Sequence, residues 1–458
     1  MGIAKLITVG FKRFLPSPFT IAILLTMVTL ACALIFGQFP EGQNRFSGVL
    51  QLWEKGIWNS GLLVFAYQMM LILVLGHVLV LSKPVERLIL RLTGLVKNAA
   101  GAAAIVAMTT MFVSFFNWGL GLIFGAILAR KVGEYAQENN IAINYPLIGA
   151  CGYVGLMVWH GGISGSAPLK VAEEGHLNEL MRSGHDTVVN LRLPESISTA
   201  ETIFSPSNLV IFSIVVVVIS ALSYVLGRKA QPTKTNLKVY RSKVITTDVG
   251  QGADRLDRSR ILAYAFGGIT LLAFVAQYLP VLRTLNITPN LLNFFMFGLA
   301  LVMHGRFSSF LHALDEAIKG TSGILIQFPL YFGIMGVMTG SGLIGEVSAF
   351  FTTISTTTSL PLFTFLSAGL VNIFVPSGGG QWAVQGPLVL ESALNLGVPL
   401  PKAIMALAYG DQLTNMLQPF WALPLLGITK LKAREILPYT VLFMLVGAMI
   451  YLLGLLFF

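Results

Sequence analysis

The most chemically suggestive stretch of the chain is Val375-Pro376-Ser377-Gly378-Gly379-Gly380-Gln381-Trp382, set inside an apolar run. Proline removes a backbone donor, and three glycines admit nearly any φ/ψ. Open backbone at membrane depth survives only where protein or a water-filled cavity satisfies it. A helix resuming after Gly380 leaves free N–H groups and a positive dipole end near the tip, which suits a carboxylate. Asn117-Trp118-Gly119-Leu120-Gly121 is a second, lighter break of the same kind. A third follows Trp159-His160, in Gly161-Gly162-Ile163-Ser164-Gly165-Ser166-Ala167-Pro168. The hydroxyls of Ser164 and Ser166 and the freed carbonyls there suit a cation or a substrate oxygen, while His160 fits a structural role as well as a direct one. The fourth break runs from Tyr409 to Pro419 and holds Asp411, Thr414 and Asn415. Asp411 is the one acidic residue set deep in a full span, and an ionisable group there is costly enough that function is the default. Its carboxylate suits a proton, or Na⁺ in a cage with Thr414, Asn415 and freed carbonyls.

The elements that must carry these breaks are membrane helices. Apolar residues make up 55% of the 458 positions and charged residues 11%, against about 25% charged in a soluble domain. Runs of the ~20 apolar residues that a spanning helix needs recur from end to end. The sequence predicts an all-α polytopic membrane protein. Nine full crossings are expected at about 19–37, 60–82, 146–170, 206–227, 259–279, 288–304, 321–343, 402–428 and 437–457, those at 146–170 and 402–428 being broken helices. The stretches at about 98–130 and 360–391, interrupted mid-way, are read as re-entrant hairpins. The run at 19–37 exceeds a signal-peptide core and is read as a retained helix. Val85–Val96 and Phe307–Ile318 are amphipathic and are expected along the membrane face. Gln68 and Gln327 are read as interhelical glue. Cys32 and Cys151 lie in apolar runs with no disulfide or metal pattern. The net charge of +10 is spread over loops rather than a nucleic-acid patch, and no GxxxxGK[ST] motif serves ATP.

Charge sets the orientation. With the N-terminus inside, 23 of the 30 Lys and Arg fall in inside loops and 7 outside, as cytoplasmic loops require. The basic loop around 228–260 is inside only if 98–130 is crossed an even number of times. The chain also repeats itself at an offset of 256 to 262 residues. Arg45-Phe46-Ser47 matches Arg306-Phe307-Ser308, and Phe116–Gly121 matches Val375–Gly380. Gly152-Tyr153 matches Ala408-Tyr409, and Ala167-Pro168-Leu169 matches Leu423-Pro424-Leu425. Five crossings separate the copies, so they run in opposite senses. Inverted repeats with paired broken helices place a transporter's site at the repeat interface near the midplane. The first repeat is assigned to 17–228, a cytoplasmic basic linker to 229–258, and a linking helix with the second repeat to 259–458.

The segments Pro376–Pro387, Trp159–Leu169 and Ala408–Pro424, within a likeness running from Pro16 to the last helix, closely resemble the bacterial short-chain fatty acid transporter family. Some members carry His at the position of Gln381, and Glu with Trp where this chain has Asp411 with Leu413. The resemblance, and the ion transporter superfamily in which that family is grouped, imply a homodimer in the bacterial cytoplasmic (inner) membrane that works by alternating access. They also imply a secondary carrier of small monocarboxylates coupled to Na⁺ or H⁺. The substrate anion is then expected between Ser377, Gly378, Gly379, Gly380, Gln381 and Trp382 on one side and Gly161, Gly162, Ser164, Ser166 and Asn117 on the other. Trp382 and Phe420 are expected at the acyl tail, and Asp411, Thr414 and Asn415 at the coupling ion. No cofactor and no catalytic residue is expected. Two alternatives stay open: a channel for small anions, and an intramembrane serine protease using the Gly162-Ile163-Ser164-Gly165 motif with His160.

Overall fold

The computed structural model describes residues 18–184, 193–233, 237, 254–283 and 289–458. Lys5, Lys12 and Arg13 and most of the 229–258 linker lie outside the described residues, as does the side chain of Phe420.

All the regular structure described is helical. In chain order the first half holds α1 (Pro18–Phe36), α2 (Arg45–Ile57), α3 (Ser60–Val80), α4 (Lys83–Thr93), α5 (Ala99–Phe116) and α6 (Trp118–Glu138). There follow α7 (Tyr145–Cys151), a 3₁₀ turn (Val154–Met157), α8 (Ser166–Lys170), α9 (His176–Gly184) and α10 (Pro206–Lys229). Next come α11 (Asp254–Asp257), α12 (Arg260–Arg283) and α13 (Pro289–His304). The second half continues with α14 (Phe307–Ala317), α15 (Ser322–Gly340), α16 (Leu343–Thr353), α17 (Leu360–Phe374), α18 (Gly378–Asn395), α19 (Leu400–Thr414), a 3₁₀ turn (Asn415–Leu417), α20 (Pro419–Thr429) and α21 (Ala433–Phe457).

Among the described residues, five helices combine the length and apolarity of a bilayer span: 62–79, 99–116, 206–229, 260–280 and 433–457. Apolar helices also stand at the other expected crossings: α1 and α15 run 19 residues each and α13 runs 16, and the stretches at 145–170 and 400–429 each divide into two helices joined by a 3₁₀ turn.

Helix starts are set by short polar caps. The side-chain oxygens of Asn44, Asn59, Asn98, Asn117, Asn144, Ser205 and Ser377 each accept the N–H three residues on, satisfying a donor that the helix itself cannot. One residue, Asn117, therefore both ends α5 and caps α6, and folds them into the first hairpin. The residues Val375–Ser377 do the same between α17 and α18.

The hairpin of α5 and α6 runs to residue 138, beyond the expected limit near 130. The apolar pattern stops at Arg130 and Lys131, but both pair with Glu134, at 2.7 and 2.8 Å, so the helix continues past its apolar face. Packing is close where α6 meets the 145–157 segment. A Cβ on Gly125 would stand 2.1 Å from the Gly152 carbonyl oxygen, and one on Gly152 would stand 2.5 Å from that of Gly125. Only glycine admits this backbone-to-backbone approach.

Outside the hairpins, α5 packs along α10, α17 along α19, α2 along α15 and α12 along α13. Gln68 donates to Asn290 Oδ1 at 2.7 Å, tying α3 to α13. Part of the polar stretch 171–205 docks on the second hairpin: Trp382 Nε1–H donates to His176 Nε2 at 3.0 Å, and Leu177, Leu180 and Ile197 share a buried cluster with Trp382, Val389 and Leu390.

Candidate functional site

The two broken segments meet, and each satisfies the other's freed backbone. The amides of His160 and Gly161 both donate to Gln412 Oε1, at 2.8 and 3.0 Å. The Gly161 carbonyl accepts from Asn208 Nδ2 at 2.8 Å, and Asn208 Oδ1 accepts from the Tyr409 hydroxyl at 2.8 Å. The Met157 carbonyl accepts from the Tyr451 hydroxyl at 2.6 Å. In the other direction, the Tyr153 hydroxyl donates to Asn415 O and the Thr440 hydroxyl to Met416 O, at 2.9 and 2.7 Å. Non-helical backbone at membrane depth needs such partners.

At the centre of this junction, His160 Nδ1 lies 2.5 Å from Asp411 Oδ2, with both residues 0% exposed. The other ring nitrogen, Nε2, accepts the Ala167 N–H at 3.0 Å. A nitrogen that accepts carries no hydrogen, so the proton of the neutral ring sits on Nδ1 and is donated to the carboxylate. The imidazole also stacks on Trp159, with centroids 4.5 Å apart and planes at 17°.

Beside this pair is a cavity of about 80 Å³ lined by Trp118, Leu156, Trp159, Ser166, Ser377, Gly378, Gly379 and Trp421. Trp118 opens α6, Gly378 and Gly379 open α18, and Trp421 lies in the first turn of α20. Ser166 begins α8. The N-terminal ends of three helices of 21, 18 and 11 residues thus border one small cavity. Each such end carries roughly half a positive charge from aligned peptide dipoles.

The two hairpin tips are not alike. In the first, Ser164 Oγ accepts the Trp118 N–H at 2.9 Å and Asn117 Oδ1 accepts that of Leu120 at 2.9 Å. In the second, Ser377 takes the N–H groups of Gly380 and Gln381, and the Gly378 and Gly379 amides stand at the cavity those residues line.

Of the expected binding residues, Ser377, Gly378, Gly379 and Ser166 come together at the cavity. Gly380 sits one turn in, its N–H on Ser377 Oγ at 3.2 Å. Gln381 and Trp382 are placed differently from expectation. The Gln381 amide donates to Ala368 O and Gln385 Oε1 inside the hairpin, and Trp382 packs under the 171–205 stretch. Both belong to the face of α18 that holds the hairpin together. Gly161 and Gly162 pack against Asn208 and the Phe115 backbone, and Asn117 and Ser164 cap α6. The expected cage oxygens of Thr414 and Asn415, with the Asp411 carbonyl, share a different partner. All three lie at hydrogen-bond distance from Asn372 Nδ2, at 2.9, 2.8 and 2.6 Å, and share its two hydrogens.

Trp118, Trp159, Gln412 and Trp421 lie inside the sequence motifs without an assigned role, and Asn372 lies outside them. Each carries a sequence signal all the same. Every tryptophan adjoins a break, and Asn372 is a lone amide within an apolar hairpin arm.

A serine–histidine dyad does not form. Ser164 Oγ is engaged at Trp118, and both His160 ring nitrogens are engaged elsewhere. Ser164→Ala strips the Trp118 amide of its acceptor, which costs about 1 kcal/mol. Melting of the purified protein in detergent measures it, and an unchanged melting temperature would show that Ser164 does not hold the start of α6.

A family model described as short chain fatty acid transporter matches residues 2–458. An Escherichia coli protein named "Putative short-chain fatty acid transporter" is 35% identical over 472 residues, covering 100% of this chain and 99% of its own. A Haemophilus influenzae protein of the same name is 33% identical, covering 99% of each. Among solved structures, the Alcanivorax borkumensis YdaH transporter aligns with a TM-score of 0.47 at 16% identity, covering 96% of this chain and 97% of its own. Neisseria gonorrhoeae MtrF, of a class of antimetabolite efflux pumps, aligns with a TM-score of 0.41 at 14% identity, covering 96% and 95%.

Proposed function

The chain belongs to the short chain fatty acid transporter family, and from that premise we propose that it is a secondary active carrier of butyrate-sized monocarboxylates, driven by a gradient of Na⁺ or H⁺. The observation that carries this is the convergence of three helix N-termini on one cavity walled by Trp118, Trp159 and Trp421. The positive ends and the Gly378 and Gly379 amides suit a carboxylate. The indole walls suit a short apolar tail.

The size also fits. A cavity of about 80 Å³ exceeds several times over the ~10–15 Å³ that a single water needs, room for a small organic anion.

Alternating access between inverted repeats, in an inner-membrane homodimer with its N-terminus inside and its C-terminus outside, completes the proposal. The matched succession of elements supports it. An amphipathic helix, an apolar helix, a short helix, a hairpin, a broken segment and a long helix follow in that order from α2 to α10 and again from α14 to α21.

The test is uptake of labelled butyrate and acetoacetate into proteoliposomes under imposed Na⁺ and pH gradients, with passive acid diffusion subtracted using protein-free vesicles. Saturable uptake is expected. Its absence under every gradient overturns the proposal, and large unitary currents in planar bilayers would replace the carrier by a channel.

A further inference from the structure

We propose that His160 and Asp411 form the proton-binding site of transport, and that the proton is received at His160 Nε2, where it competes with the Ala167 amide. This rests on the carrier proposed above and names its coupling ion and the group that reads it.

The pair as it stands is fully buried, with the Nδ1–H of the imidazole on Asp411 Oδ2. Among the described residues no Lys or Arg pairs with Asp411, and its Oδ1 has no hydrogen-bond partner. The oxygens nearest in sequence that could have served a metal cation, those of Thr414 and Asn415, face the Asn372 amide instead. A proton needs no such cage.

Tyrosines stand near the junction: Tyr153 on Asn415 O, Tyr409 on Asn208 Oδ1, Tyr451 on Met157 O, and Tyr331 beside Tyr153. On the packed elements, Lys170 closes α8 three residues from Ala167 and pairs with Glu173 at 2.9 Å. Arg130 and Lys131 pair with Glu134 beyond the middle of α6, and Glu138 ends that helix. Lys402 stands at the start of α19, Arg228 and Lys229 close α10, Glu391 lies late in α18, and Arg434 and Glu435 open α21.

The reading of the proton is geometric. Nε2 now accepts the Ala167 N–H. Once Nε2 carries a hydrogen, two donors face each other and that bond is lost. Ala167 sits beside Ser166, which lines the cavity, so protonation frees the cavity wall on the α8 side. On the opposite side, the second hairpin tip rests on the same ring: a Cβ on Gly378 would stand 2.8 Å from His160 Cε1. Both walls of the cavity therefore abut the group that titrates. Electrostatics acts in the same sense. A proton bound at the pair makes it one charge more positive, which favours a carboxylate loading beside it on the order of tenfold. The step balances as one proton and one monocarboxylate anion carried together.

The experiment uses full-length protein in liposomes with labelled butyrate, without Na⁺. It compares exchange in the absence of any gradient with uptake driven by an inward proton gradient. Asp411→Asn is isosteric and cannot titrate. His160→Gln places a carbonyl oxygen where Nε2 can be mimicked and likewise cannot titrate. The wild type is expected to show both activities. In both variants the stimulation by the proton gradient is expected to fall to about one, while exchange without a gradient falls by less than gradient-driven uptake does.

Retained stimulation in either variant overturns the proposal, as does wild-type uptake that follows Na⁺ and ignores pH. Parallel loss of exchange and stimulation assigns the pair a purely structural role and also overturns it. Failure of the underlying carrier is distinct: the wild type itself would then show neither saturable exchange nor uptake.

Discussion

Gly378→Ala is expected to lower saturable butyrate uptake by about 10- to 100-fold, while Gly379→Ala, one residue on, leaves it within about threefold. The two glycines share a helical turn and the same cavity, but their surroundings differ. A Cβ on Gly378 would meet Trp159 Cη2 and His160 Cε1, both at 2.8 Å. Neither ring can retreat readily. They stack on each other at 4.5 Å, and the imidazole is held at both nitrogens. Overpacking of that kind costs about 1–3 kcal/mol, and here the cost falls on the contact between the second hairpin and the first broken segment. A Cβ on Gly379 would find only Ser166, at 3.9 Å, an ordinary contact. It would also gain the better helix propensity of alanine in the first turn of α18. Initial uptake rates in proteoliposomes, with size-exclusion profiles as the folding control, give the comparison. Equal effects from the two substitutions would show that the tip does not seat on the His160 ring during transport.

The breaks were legible in the sequence because helix breakers and caps act locally. Asn117 and Val375-Pro376-Ser377 end one helix and begin the next by chemistry contained in three or four residues. The interruptions after Cys151 and Thr414 follow from glycines, polar residues and Pro419 in the same way. Side-chain direction was less legible. Ser164, Gln381 and Trp382 stand where a ligand would want polar or aromatic groups, yet the fold spends them on Trp118 N–H, Ala368 O and His176. Which face of a short helix looks into a cavity depends on neighbours far away in the chain.

The His160–Asp411 contact shows that limit most clearly. Each residue stood out as polar within an apolar span, but they are 251 positions apart, and only the apposition of the two broken segments makes them a pair. Pairing changes the chemistry available. A lone buried aspartate invites either a proton or a cation. An aspartate already holding a neutral imidazole leaves its partner ring as a second place for a proton.

Asn372 carries the other large expected effect. Its Nδ2 sits within 2.6 to 2.9 Å of Asp411 O, Thr414 Oγ1 and Asn415 Oδ1, and its own carbonyl accepts from the Gln418 amide. The residue thereby ties α17 of the second hairpin to both pieces of the broken segment around Asp411. Side-chain hydrogen bonds within membrane proteins average ~0.6 kcal/mol and reach ~1.7. Asn372→Ala, which removes the amide these oxygens share and leaves a small void, is expected to cost about 2–4 kcal/mol and to abolish uptake. Asn415→Ala removes one acceptor and should cost under about 1 kcal/mol. Asn372→Asp is nearly isosteric but replaces the donor by a carboxylate oxygen facing three other oxygens, so it should be worse than alanine. Melting of the purified protein in detergent orders the three variants. An aspartate that melts like the wild type and makes uptake depend on Na⁺ would show that the three oxygens gather around a cation rather than an amide, and would return the coupling site to Thr414 and Asn415.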